Sequence, residues 1–120
     1  MPIFVAQPTR IQSAGNKPKM IDEYIGFVNS KTSVLSVAHM KSPGGWTELG
    51  QTPEFDEYTL VLKGELKVAS SVSVLAIKAG QAVIVSKGEW VQYSSPAAEG
   101  AEYVAICIPA FSPQTVHRDS

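Results

Sequence analysis

The stretch Gly50-Gln51-Thr52-Pro53-Glu54-Phe55-Asp56-Glu57-Tyr58-Thr59-Leu60-Val61-Leu62-Lys63-Gly64 is a polar, acidic loop that runs into a row of strand formers and ends at a glycine. Glu54, Asp56 and Glu57 crowd together just ahead of Tyr58 to Leu62, a segment that must bury at least one face. Carboxylates at the mouth of such a strand are either a solvated edge or a site. The surrounding chain decides between the two.

On the N-terminal side, Ile3 to Val5 reads as a short strand, and residues 10 to 20 read as a loop with Gly15, Asn16 and Pro18. Ile21 to Val28 alternates, with Ile21, Glu23, Ile25 and Phe27 on one side of a pleat. Val34 to Met40 alternates again and groups Leu35, Val37 and His39, before the turn Pro43-Gly44-Gly45. On the C-terminal side, strands are expected at 65–69, 72–78, 82–85, 90–94 and 103–108, separated by Ser, Gly and Pro. No window keeps a 3.6-residue apolar period over helical length. Short strands with turn chemistry between them predict an all-β sandwich or barrel.

Composition narrows the function classes. A chain of 120 residues makes one domain with one core. The apolar fraction of 44% and charged fraction of 18% fit neither a disordered chain nor a membrane protein. A net charge of -1 with scattered Lys and Arg leaves no footprint for nucleic acid. The start MPIFVAQPTR lacks the basic-then-apolar pattern of a signal peptide, and Cys107 is the lone cysteine, so a cytoplasmic protein is expected.

The residues also carry a family resemblance. DEYTLVLKGELKV, with Glu57 seven positions before Gly64, resembles the first motif of the cupin superfamily; GQAVIVSKGEWVQYSSP, residues 80–96, resembles the second, with Gly80 and Gly88 at its glycine positions. The resemblance implies a double-stranded β-helix, a jelly-roll barrel that is usually dimeric. One domain then spans 1–120, with N-terminal strands in 1–40, motif-one and motif-two regions at 43–66 and 80–96, and a C-terminal strand and tail at 102–120. Within the superfamily the motif-one Asp-Glu resembles the ethanolamine-utilisation Q-type proteins. Cupin metal sites use three histidines and a glutamate. Here those histidine positions fall on Gly50, Thr52 and Val91, and only Glu57 remains; Ser86 and Ser95 stand at the second motif's proline and asparagine. The usual transition-metal site is therefore absent as written.

Parity suggests what replaces it. With Glu57 inward, Tyr93 shares the lumen, a loop shift brings Gln51 there, and Glu23 and His39 end neighbouring stripes. Glu57 and Tyr93 are the expected catalytic pair, with Gln51, His39, Glu23, Trp46 and Thr52 around a small-molecule ligand. Bland alternatives stand beside them: a core or outward His39, an edge charge at Glu23, Trp46 as core or lid, and solvated Glu54 and Asp56. The cofactor is left open; an atypical divalent ion would take Glu57, His39 and Gln51. A buried Glu57 should have a raised pKa, suited to acid–base chemistry of isomerase or lyase type; a non-catalytic binding or sensing module is the other reading. Cys107 in its apolar run reads as an inert buried thiol, and His117-Arg118 as surface tail. Tyr58, Leu60 and Leu62 should face outward and need a cover, which predicts a homodimer.

Overall fold

The computed structural model describes residues 1–120 and is all-β. Its nine strands are β1 (Thr9–Arg10), β2 (Met20–Ile25), β3 (Ser36–Ser42), β4 (Trp46–Thr47), β5 (Asp56–Ser70), β6 (Val74–Lys78), β7 (Ala82–Val85), β8 (Val91–Ser95) and β9 (Ala101–Ile108). Ile3 to Val5 forms no strand; the apolar run lies exposed, and pairing begins at Thr9 opposite Glu23. No helix is long and apolar enough to cross a membrane.

All strand pairs are antiparallel, and β5 belongs to two layers. Its first half pairs with β9 and β7, in a sheet that continues through β3, β2 and β1. Its second half pairs with β6 and β8, and β8 holds β4. Gly64 was expected to end the strand; the strand instead passes through it. At Gly64 φ is +74°, a conformation open to glycine at little cost, and this lets one strand turn from one layer into the other.

Alternation then sorts side chains. Along β9, Ala101, Tyr103, Ala105 and Cys107 are buried, while Glu102, Val104 and Ile106 sit on the outer face. Trp46, Val61, Leu66, Val68, Val91 and their neighbours form the main core. Fully burying one such aliphatic side chain stabilises by about 1.5–3 kcal/mol. A smaller cluster of Phe55, Cys107 and Val116, with Phe111 against it, closes the other end. It exists because the tail docks: Thr52 N–H donates to the His117 carbonyl, Glu54 N–H to Thr115, and Asp119 N–H to Gly50.

The strand β3 corrects the expected grouping. Ser36 and Ala38 are buried on the inner face with Met40 beside them, whereas Val37 and His39 point outward. In register, Ala38 stands opposite Ala105 and Ser36 opposite Cys107, so the small residues face inward and leave space there. The apolar-looking stripe is the outer one, because Val37 meets Ile106 on an apolar outer surface.

Gly64 and Gly80 separate backbone strain from crowding, since both have positive φ but only Gly64 is hemmed in, by the Gly100 carbonyl. Gly80→Ala should cost about 1 kcal/mol, the penalty of a left-handed alanine. Gly64→Ala should cost about 3 kcal/mol or more, because backbone must also shift. Urea unfolding of both variants checks this, and equal losses would remove the close approach as a cause.

Candidate functional site

Two rows of register build the floor of the site. Ser36 on β3, Cys107 on β9, Glu57 on β5 and Val85 on β7 stand abreast; Ala38, Ala105, Thr59 and Val83 form the next row. Short side chains beside Glu57 leave a cavity of about 340 Å³, bordered also by Lys19, Glu48, Gln51, Tyr93, Tyr103 and Arg118.

The Glu57 carboxyl makes no hydrogen bond of normal geometry. Its pKa is raised to about 7, first by burial and then by the charge of Glu48; Lys19, the nearby Tyr93 hydroxyl and Arg118 pull the other way. Tyr93 neighbours this carboxyl, yet the approach is too loose to satisfy its buried hydroxyl, which has no partner. Burial and then Glu57 push the Tyr93 hydroxyl far up, so it stays protonated and acts as a donor. Burial likewise raises the Cys107 thiol, with Glu57 adding to it, which keeps that thiol un-ionised and inert.

Around this pair lie three charges outside the expected site, among them Arg118, which is exposed as a tail residue should be yet also borders the lumen. Glu48 is buried, and burial raises its pKa. Lys19 donates to the Tyr103 hydroxyl at 3.1 Å and sits 4.2 Å from the centre of the Trp46 ring. The Tyr103 hydroxyl also bonds the Ser42 hydroxyl at 2.6 Å. Arg118 borders the cavity from the docked tail, its backbone bridged to Gln51. Glu48 was legible in outline: Trp46, Glu48 and Gly50 are buried in alternation, while Thr47 and Leu49 are exposed. Lys19 and Arg118 gave no local signal, because a loop and a tail bring them in.

Of the expected site residues, Glu57, Tyr93, Gln51 and Glu23 border the cavity. The backbone of Gln51 pairs both ways with Val91 at 2.9 Å, and its buried Oε1 has no partner. Glu23 is already engaged: its Oε2 accepts the N–H groups of Val28 and Asn29 at 3.0 and 2.9 Å, which clasps a loop. His39, Trp46 and Thr52 do not join the site. His39 lies on the outer face, with Nε2 2.7 Å from Glu102 Oε2; this bond holds the Glu102 carboxyl below its usual range. Trp46 is fully buried in the core, its indole N–H donating to the Ala14 carbonyl, and Thr52 is exposed because its neighbour Gln51 turns inward. His117 pairs with Glu54 on the surface.

The donor set does not fit a metal. No three His, Cys, Asp or Glu side chains converge as ligands, and the proposed Glu57–His39–Gln51 set is split between the lumen and the outer face. At Gly50 there is no room for a histidine, since a Cβ would strike the Trp90 indole, whose N–H donates to Asp119 at 2.9 Å.

Comparison places this geometry among known folds. A solved structure from Thermotoga maritima, described as a predicted oxalate decarboxylase, superposes with TM-score 0.72 at 20% identity, covering 91% of this chain and 99% of the other. The EutQ protein of Clostridium difficile superposes with TM-score 0.66 at 20% identity, over 79% of this chain and 65% of that one. The chain has the cupin fold. No family model matches it. The Endoribonuclease YbeY of Myxococcus xanthus is 37% identical over 102 residues, which is 85% of this chain. The chain spans about a third (35%) of the length of that curated relative. The cavity floor in this fold carries Glu57 and no histidine.

Glu57 should titrate near 7 when followed by carboxyl carbon-13 NMR, rather than near the 4.5 of an ordinary glutamate. Its folded pKa is raised, so the unfolded chain ionises first. Stability contributed by Glu57 is therefore full below about pH 4.5 and falls as pH climbs through 7, by up to about 3 kcal/mol. Glu57→Gln should flatten that fall. An ordinary midpoint for the carboxyl would show that it is solvated.

Proposed function

We propose that this cupin-fold protein binds a polar small molecule in the barrel lumen, and that Glu57 exchanges a proton with it. The observation that carries the reading is a carboxyl raised to about 7, with no hydrogen-bond partner, at the floor of a cavity. Near neutral pH such a group is present in both protonation states, as a general acid or base requires. Tyr93, held protonated, would donate to oxygen where charge develops, and Gln51 would orient the ligand. Glu48 supplies a second carboxylate whose charge keeps the Glu57 proton in place. Isomerase-like or lyase-like proton transfer suits this set. The residues lining the lumen do not form a metal ligand set.

A second reading, a non-catalytic binding or sensing module, draws on one observation: the chain matches only about a third of a longer protein. Recurrence as part of a larger polypeptide suits a ligand-sensing unit. That protein's endoribonuclease name is not carried over: net charge is -1, with no basic footprint for a phosphate backbone.

A thermal-shift screen of polar metabolites checks both readings. A ligand at 100 times its dissociation constant should stabilise the protein by about 2.7 kcal/mol, and Glu57→Gln should remove most of that shift. Deuterium from the solvent entering the recovered ligand supports proton transfer, and recovery without exchange favours the module. If Glu57→Gln leaves shift and turnover alone, the lumen is not the site.

Assembly is proposed on the outer face. Tyr58, Leu60, Leu62, Ile84 and Ile108 are exposed there, and in register Tyr58 stands beside both Ile84 and Ile106, with Leu60 beside Val104. The His39–Glu102 pair lies at the rim of this apolar patch, since His39 stands opposite Val104. A second copy covering it gives an apolar centre with a polar border. Light scattering after size exclusion should give twice the 12.9 kDa chain mass, and Leu60→Glu should give one chain mass. A wild-type monomer at micromolar concentration contradicts the dimer.

A further inference from the structure

Beside the lumen lies a second hollow of about 270 Å³, bordered by Ile11, Phe27, Val28, Phe111 and Pro113, with Glu23, Ser112 and Gln114 at its polar edge. Ile11, Glu23, Phe111 and Pro113 border both spaces, so the two adjoin. The inner space carries Glu48, Glu57, Gln51 and Tyr93, while the outer one is largely apolar. Phe111 marks the junction, edge-on to Phe55 with centroids 5.8 Å apart and with the Arg118 guanidinium 6.0 Å from its ring.

Phe27 and Val28 are close to half exposed, and they are held out by a fastened loop. The Glu23 carboxylate accepts the Val28 and Asn29 N–H groups, the Ser30 hydroxyl accepts the Gly26 N–H at 3.0 Å, and Thr32 N–H donates to the Gly26 carbonyl at 2.9 Å. A Cβ at Gly26 would strike the Glu23 carboxylate, so this clasp depends on glycine there. Asn29 adds bonds to the Gln7 and Tyr24 carbonyls. Isolated exposed apolar side chains need no explanation. Two of them converging with Ile11 and Phe111 on one trough, at the mouth of a polar cavity, form a built apolar surface.

Resting on the reading of the lumen as the ligand site, we infer that the ligand is amphipathic: a small neutral polar head in the lumen, and an aliphatic or aryl tail along Ile11, Phe27, Val28 and Phe111. A neutral head is favoured because the lumen is bordered by groups of both signs, Glu48 and Glu57 with Lys19 and Arg118, so a charged head of either sign meets a like charge. The unpartnered Gln51 oxygen asks for a donor, and the Tyr93 hydroxyl asks for an acceptor. A primary amide, or a hydroxyl beside a carbonyl, offers both. Glu23 is then a positioning residue for the tail wall, which accounts for a buried carboxylate that points at backbone rather than ligand.

A series of straight-chain primary amides, acetamide to octanamide, provides the probe, with binding followed by calorimetry and NMR. Affinity should rise with length by up to about fourfold per methylene seated. Phe27→Ser with Val28→Ser, both at the surface, should flatten that slope, so that the longest amides lose most. Glu57→Gln should instead weaken every length by a similar factor. A length-independent series that Glu57→Gln still weakens keeps the lumen reading and overturns the amphipathic one. A rising series flattened by the surface pair but indifferent to Glu57→Gln keeps the tail trough and removes the lumen reading. No binding of any length at millimolar concentration overturns the inference. So does a flat series in which the surface pair changes subunit stoichiometry, since the trough then belongs to a second copy.

Discussion

Every feature of the lumen depends on the register between β5 and β9. Glu57 opposite Cys107 and Thr59 opposite Ala105 put the carboxyl and its short neighbours on the inner face. A slip of one residue would turn Glu57 outward and bring Tyr58 and Leu60 into the barrel. The close approach of Gly64 to the Gly100 carbonyl, and of Gly100 to the Ser42 carbonyl, pins that register at one end. The docked tail against residues 50 to 54 pins the other. Because β5 serves both layers, a single strand sets the position of the carboxyl and the packing of the core.

The motif resemblance assigns the cupin histidine positions to Gly50, Thr52 and Val91. Gly50 sits beneath the Trp90 indole, Val91 is core, and Thr52 faces solvent, so none of the three positions reaches the cavity with a ligating atom. Lys19 and Arg118 are the cations that act on the glutamate, and they only partly offset its burial. Burial dominates, and the proton stays to higher pH. The residues around Glu57 thus leave its carboxyl protonated up to about 7, with Lys19 and Arg118 limiting how far the shift goes.

Much of the fold was readable because strand period and glycine punctuation are local signals. The two glycine-bounded blocks, the all-β class and the outward row Tyr58, Leu60 and Leu62 all follow from them. β3 departs from its apolar pattern for a physical reason: Ser36 and Ala38 line the cavity, while Val37 lies on the outer face beside Ile106. That inversion carried His39 to the surface. Ile3 to Val5 looked like a strand, yet strand propensity without a partner to pair with makes none. Lys19 and Arg118 enter the site through a loop and a tail, whose paths depend on long-range contacts such as Val116 against Phe55 and Lys19 over Trp46.

Glu57, without a metal ligand set, lies at the floor of a cavity for which we propose a small-molecule ligand. A crystal structure of the protein purified from its own cells, without dialysis, tests it most directly. Density for a small organic molecule within hydrogen-bond distance of Glu57 and Tyr93 is the expected result. A lumen in which Tyr93 and Gln51 turn to bond Glu57 and one another, leaving no space beside the carboxyl, would contradict it.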